Sequence, residues 1–278
     1  MKDAMDALSA FISDHESLVR VTAFVGGVLL FGGFESLRPR QSPKPNRKKR
    51  WLVNYALTLL NFGTLHLVFP LLAVGAAVQA AAYGWGLFNR MPVAPAVAGL
   101  IGILLLDLVI YWQHRLFHRI PILWRLHRMH HSDTAIDVST ALRFHPLEIM
   151  LSMAVKMATV VILGVPPVAV IIFEALLNFS AMFNHANWNL GERTDRVLAR
   201  VLVTPDMHRI HHSVRPEMHT NFGFFLSIWD HLFGTRKTEP DVPHAVMAIG
   251  LESWRGAKDH RLDRLLIQPL LRDAGENV

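Results

Sequence analysis

Residues 92–131 read P-V-A-P-A-V-A-G-L-I-G-I-L-L-L-D-L-V-I-Y-W-Q-H-R-L-F-H-R-I-P-I-L-W-R-L-H-R-M-H-H. From Pro92 to Gln113 the only charge is Asp107, and the run exceeds the ~20 residues needed to cross a ~30 Å hydrocarbon layer. It reads as a membrane helix that ends in histidines. The whole chain agrees with that reading: 51% of its 278 residues are hydrophobic and 18% charged, against about 25% charged in soluble domains. The chain has no cysteine, which excludes disulfides, thiolate-ligated metal sites and cysteine nucleophiles and leaves nitrogen or oxygen to hold any metal.

Histidine is in excess. Eleven of the 16 lie between His114 and His219, where an even spread would place about six. Three clusters stand out: H-R-L-F-H (His114, His118), H-R-M-H-H (His127, His130, His131) and H-R-I-H-H (His208, His211, His212). At ~100° per residue each cluster falls on one face of a helix, so each can aim its imidazoles at one point. Eight imidazoles exceed what one ion uses, and two metal ions are the economical expectation. Imidazole suits Fe, Zn, Cu or Ni rather than Mg or Ca.

His185 closes an apolar helix in F-N-H-A-N-W and is a ninth candidate ligand. Asn178 and Glu174 lie seven and eleven residues before it, and Asp107 lies seven before His114, offsets of about 20° on a helix. A carboxylate that accepts the second ring N–H of a metal-bound histidine is a usual support. The plain alternative is a bond to a neighbouring helix. His145, His219 and His231 each stand alone and read equally as ligand supports, substrate-facing groups or structural residues. His15, His66, His244 and His260 read as ordinary histidines.

Four further apolar segments complete an all-α, multi-span bundle. Leu18 to Phe34 spans or lies shallow; a signal peptide is disfavoured by its late start and by the acids before it. Arg38 to Arg50 carries seven Lys or Arg, no acid and three prolines, a non-helical linker that the positive-inside bias assigns to the cytoplasm. Trp51 to Phe88, about 57 Å if wholly helical, is either a single crossing plus an interfacial piece or a hairpin breaking near Pro70. The arginines that follow His114 favour the single crossing, which delivers a histidine-rich catalytic cap to the cytoplasmic face. Leu147 to Val165 and Val168 to Phe183 form a hairpin around Pro166-Pro167. The expected organisation is 1–100 membrane helices and basic loop, 101–240 catalytic domain, and 241–278 tail. From Ala257 the tail suggests an amphipathic helix on the membrane or on the bundle. The net charge of +6 then reports orientation and not nucleic-acid binding.

Between Leu105 and Thr235 the sequence resembles the fatty acid hydroxylase / sterol desaturase superfamily. The likeness rests on D-x-x-x-Y-W-x-H-R-x-x-H-R from Asp107, L-W-R-L-H-R-M-H-H-S from Leu123 and R-F-H-P-L-E from Arg143. It continues through F-N-H-A-N-W from Phe183, T-P-D-M-H-R-I-H-H-S from Thr204, N-F-G from Asn221 and W-D-H-L-F-G-T from Trp229. The resemblance implies a membrane non-haem diiron site on the eight box histidines with His185 between the last two boxes. It also implies O2 as cosubstrate, a lipid, sterol-like or other long apolar substrate, and a separate electron-donor protein, with zinc able to replace iron in purified protein. Asn184 and Asn189 stand near His185 where some relatives carry a further histidine, and Asn189 joins the supporting candidates. Hydroxylation and desaturation share one hydrogen abstraction and are not separated by sequence.

Three rival classes fit less well. A histidine-lined metal transporter predicts ligands at several membrane depths, whereas these clusters end the helices. A zinc hydrolase needs fewer ligands, and H-E-x-x-H is absent. A haem protein with paired axial histidines leaves six of the eight unexplained.

Overall fold

The computed structural model describes residues 2–44, 46–214 and 216–272. Pro45 of the basic linker and residues 273–278 of the expected tail lie outside them. The helices in chain order are α1 (Lys2–Asp14), α2 (Glu16–Leu37), α3 (Arg47–Val68), α4 (Ala73–Ala82), α5 (Leu87–Arg90), α6 (Pro95–Arg119), α7 (Pro121–His131), α8 (Pro146–Leu163), α9 (Pro167–His185), α10 (Glu192–Leu198), α11 (Pro205–His211), α12 (Ile228–Leu232) and α13 (Leu262–Ile267). No strand is assigned among the described residues. Five units are long and apolar enough to cross a membrane: α2, Arg47–Arg90, α6, α8 and α9. Their outer faces stay apolar, as a lipid-facing surface must: Leu67 is 86% exposed and Leu29 71%.

The helices end where the sequence removes their support. Pro70 breaks the long apolar run, so α3 stops at Val68 and α4 begins at Ala73. Gly164, left-handed at φ 68°, closes α8, and Pro167 opens α9 at its first turn. α6 packs on α9 through small residues. A Cβ on Gly99 would stand 3.3 Å from Ala169 of α9, the kind of close approach that favours helix association where lipid offers no hydrophobic gain.

Arg50, at the start of α3, bonds Asp133 and Asp137 beside the second histidine box. Beyond α4, Gly86 lies against Gly164 in the α8–α9 turn at the opposite end. The Arg47–Arg90 unit therefore runs from the histidine end to the far end once. α4, with ten residues and a length of about 15 Å, is too short to return. It packs against α8 and α9.

The linker differs from expectation at its end. Arg47 to Arg50 form the first turn of α3, because the last proline precedes them. Arg50 is not solvated but buried at 3% exposure. It makes a bidentate pair with Asp133 and a third bond to Asp137. These carboxylates compensate a cation placed at the unfavourable N-terminal end of a helix dipole.

The tail resolves onto the bundle. Leu265 of α13 is fully buried against Leu57 and Met129, and Arg128 donates to the Gln268 carbonyl at 2.5 Å. The strap thus lies across α7, the helix that carries the second box.

Candidate metal centre

Four segments bring the nine expected histidines to one end of the bundle. The last turns of α6 carry His114 and His118; α7 carries His127, His130 and His131; α9 ends at His185; and α11 carries His208 and His211, with His212 at its C-terminal cap. Each is at least 93% buried, His118 being the most exposed at 7%. Thr204 starts α11 by accepting from the Met207 N–H at 3.3 Å, which fixes the turn that aims the third box.

In five of the nine rings the nitrogen facing outward from the centre is held by an acceptor, whereas Nδ1 of His118, His131, His208 and His212 has no hydrogen-bond partner. Nδ1 of His114 donates to the Phe222 carbonyl (2.8 Å), of His127 to Glu148 Oε1 (2.7 Å), of His130 to the Arg143 carbonyl (3.2 Å), of His185 to the Ala181 carbonyl (2.7 Å) and of His211 to the Thr220 carbonyl (2.7 Å). Oxygen acceptors fix the proton on Nδ1, leaving the Nε2 lone pair for a metal.

The inward nitrogens form two groups, each with its ligand atoms within 4.8 Å of one another: His114, His118, His127, His131 and His211 in one, and His130, His185, His208 and His212 in the other. Each H-x-x-H-H box is therefore divided between the groups. This corrects the expectation that a box aims at a single point. The donor set fits metal ions. Nε2 atoms of His130 and His185, His185 and His208, and His208 and His212 stand 3.1, 3.0 and 3.2 Å apart. Neighbouring nitrogens at right angles on an ion 2.1 Å away would be roughly 3.0 Å apart. Nε2 of His114, His118, His127, His131 and His211 has no hydrogen-bond partner, a costly arrangement for buried polar atoms that a metal would relieve.

Burial and the neighbouring imidazoles push the pKa of His130, His131, His208 and His212 well below the ordinary histidine value, and burial lowers that of His211 to about 3. The rings are neutral at pH 7 and ready to coordinate.

The expected supports are redistributed. Glu174 does not reach His185 but pairs with Lys156 of α8 and Arg20 of α2. In the apolar interior, these cations are its strongest available partners. Asp107 does not reach His114; its Oδ2 accepts from the Leu226 N–H at 3.2 Å and Trp229 Nε1 at 2.8 Å. His145 caps α8, accepting from the Leu147 N–H, and its other nitrogen donates to the Leu266 carbonyl. Asn189 accepts from the Gly191 N–H in a loop, and His231 is exposed. His219 is exposed, with its ring 5.9 Å from that of His118, and partial desolvation together with Arg119 lowers its pKa.

Sequence reasoning missed Glu148 and Asp230, although both lie inside quoted motifs beside a histidine. Asp230 accepts from the N–H groups of Phe222 and Gly223 at 2.7 and 2.8 Å, which sets the carbonyl that holds His114. A Cβ on Gly223 would stand 2.7 Å from that carboxylate, the physical reason for glycine in N-F-G. Arg143, fully buried, donates to the Met129 carbonyl and Ser132; burial lowers its pKa to about 10, so it remains a cation.

A cavity of about 220 Å³ adjoins the first group. His114, His127 and Glu148 form its histidine end, and Phe24, Leu177 and Asn178 extend it into the bundle. Asn178, expected as a ligand support, is thus a cavity residue. Phe117, Phe144 and Phe224 also line it.

Fold and site together define an integral membrane metal-binding protein with an apolar chamber at its centre. A family model described as fatty acid hydroxylase matches residues 99–235. An ornithine lipid hydroxylase from Rhizobium tropici is 30% identical over 84% of this chain and 72% of its own length. An alkylglycerol monooxygenase from Danio rerio is 29% identical over 68% of this chain, but this chain covers only 42% of that protein. A very-long-chain aldehyde decarbonylase from Oryza sativa subsp. japonica is 26% identical over 55% of this chain and 26% of its own length. No solved structure gives a significant match. The chain belongs to the fatty acid hydroxylase family and is an oxidoreductase.

Proposed function

We propose that this protein is a diiron, O2-dependent oxidase that hydroxylates or desaturates a C–H bond of a membrane lipid. One observation carries the reading: nine buried imidazoles converge in two groups, and the first adjoins an apolar cavity. The names of the relatives, an ornithine lipid hydroxylase and an alkylglycerol monooxygenase, support a lipid as substrate.

In this reading the two groups each hold one iron. The chemistry that bound iron supplies is reductive activation of O2 to an oxidant strong enough for an unactivated C–H bond. The chain's own residues bind, orient and protect. Glu148 keeps His127 in the tautomer whose Nε2 faces the centre, and its charge offsets part of the cationic load on the imidazoles. The Phe222 carbonyl does the same for His114 without adding charge. Because His114 and His127 belong to the first group and also line the cavity, a chain held there has its reacting carbon beside that group. Phe117, Phe144 and Phe224 exclude water from the approach. For hydroxylation, the balance is one C–H bond and one O2 consumed with two electrons and two protons, giving one C–OH and one water. The electrons come from a separate donor protein.

We place the histidine end in the cytoplasm. Arg50 and the Arg115–Arg128 stretch lie at that end, which is the side positive charge prefers. All nine ligands at one end argue against a transport path, and their number argues against a single hydrolytic zinc.

Lipid mass spectrometry of cells with and without the protein, under normal and ¹⁸O2 atmospheres, tests the proposal. A lipid gaining one ¹⁸O, or losing two hydrogens, in a protein-dependent way is expected. Activity surviving complete, verified iron removal would sink it.

A further inference from the structure

The 222–235 segment connects two regions that sequence reading keeps apart. At one end Phe222 accepts from His114 through its carbonyl. At the other, the segment runs down the side of α6 toward the membrane interior. Asp107 is seven residues before His114 on α6, hence about 10 Å further from the histidine end. It accepts from the Leu226 N–H and from Trp229 Nε1. Tyr111 bonds Thr235 at 2.8 Å, and the rings of Tyr111 and Trp112 lie 5.3 and 4.9 Å from that of Phe233. The segment therefore occupies the depth of α6 residues 107–112, within an apolar spanning helix.

The stretch from Phe222 to Ser227 that leads into α12 is non-helical; backbone of that kind at such depth requires internal partners, and it has them. The N–H groups of Phe222 and Gly223 go to Asp230, that of Leu226 to Asp107, and that of Ser227 to the Val201 carbonyl. Its large outward apolar side chains are Ile228, 50% exposed, and Leu232, 66% exposed, with the exposed His231 between them as the one polar ring on this face of α12. Val197 and Val201 beside them are 56% and 59% exposed. This surface continues the lipid-facing flank of α6, where Trp112 and Leu116 are also exposed. Arg193, Arg196 and Arg200 are exposed on and just beyond α10, and Arg115 lies over the Trp112 ring at 5.0 Å. Cations at the rim of an apolar, tryptophan-bearing face are what an anionic headgroup layer attracts.

We propose that residues 225–233 dip into the bilayer leaflet at the histidine end, with Ile228 and Leu232 in its acyl chains and the arginines of 193–200 among anionic headgroups. The cap is then seated on lipid by the same segment that orients His114. Asp107 acts as the positioning residue that satisfies this re-entrant backbone, which explains a carboxylate inside α6 that touches no ligand.

The absence of cysteine makes a direct test possible. Ile228→Cys and Leu232→Cys, labelled with an environment-sensitive fluorophore on the full chain in phosphatidylcholine/phosphatidylglycerol vesicles, are compared with Leu104→Cys on the outer face of α6 and Lys258→Cys on the cap. The two test sites are expected to lose as much emission to doxyl-acyl lipid as Leu104→Cys, and to resist aqueous iodide. Iodide quenching equal to that of Lys258→Cys would overturn the proposal. So would protection from both quenchers, which would mean that protein covers the face. If a labelled chain fails to fold, the unmodified chain is irradiated with an acyl-diazirine lipid and its adducts mapped by mass. Adducts on 225–233 support the insertion, and adducts confined to the five spanning units reject it.

Discussion

The two histidine groups share the second and third boxes, the first box serving only one group and His185 only the other, and they stand in different surroundings. The five-histidine group faces the apolar cavity through His114 and His127 and has an acidic support, Glu148. The four-histidine group has no member in the cavity wall, and Nδ1 of His130 and of His185 is held by a backbone carbonyl, that of Arg143 and that of Ala181. In the proposed reading the first is placed to meet substrate and the second to complete the metal pair. Ligand number alone therefore does not assign their roles; what lies on the far side of each ring does.

The largest effects should separate the groups by what remains after loss of one ligand. His212→Ala leaves three imidazoles in its group, and His118→Ala leaves four. Iron counted by mass spectrometry should fall from about two to about one per chain in the first and less in the second, with activity lost in both. Equal iron loss would break the comparison.

Glu148→Gln keeps an acceptor for His127 but removes its charge. Activity should fall roughly 10–100-fold with both irons retained. Unchanged turnover would show that the acidic support distinguishes nothing.

A cavity that serves only the first group should be closable without disturbing either. Ser152→Phe places a ring in the chamber beside Gln113. Lipid turnover should drop several-fold at unchanged iron content, and a variant with full activity on long-chain substrate would place the substrate elsewhere.

The smallest effect is on metal-free protein as pH falls. His130, His131, His208, His211 and His212 have folded-state pKa values below the ordinary one, so at low pH the unfolded chain binds protons that the folded chain refuses. Stability should be flat above about pH 6.5 and decline below it, continuing toward about 3 for His211. The unfolding midpoint in detergent measures this; a midpoint constant from pH 7.5 to 5 would contradict neutral, buried rings.

Legibility was greatest where the signal is local. Apolar length marked all five spanning units, and proline marked the breaks at Pro70 and Pro166-Pro167, because both act within a single segment. It failed for carboxylates. Glu174 and Asp107 share helical faces with histidines, but each is claimed by a neighbour from another segment: Lys156 and Arg20 for one, Leu226 and Trp229 for the other. Face-sharing places a residue near a direction, and a charged group inside a membrane bonds the strongest partner within reach.

By itself the sequence determined the elements, the ligand type and the nine imidazoles, since cysteine is absent and helical periodicity brings each box to one face. Only the tertiary structure decided which histidines stand in one group. In the second box His131 lies about 40° to one side of His127 and His130 about 60° to the other, so neighbours in sequence point to different groups. Which group each ring joins depends on where α6, α9 and α11 cross α7, and that crossing is set by packing between segments far apart in the chain.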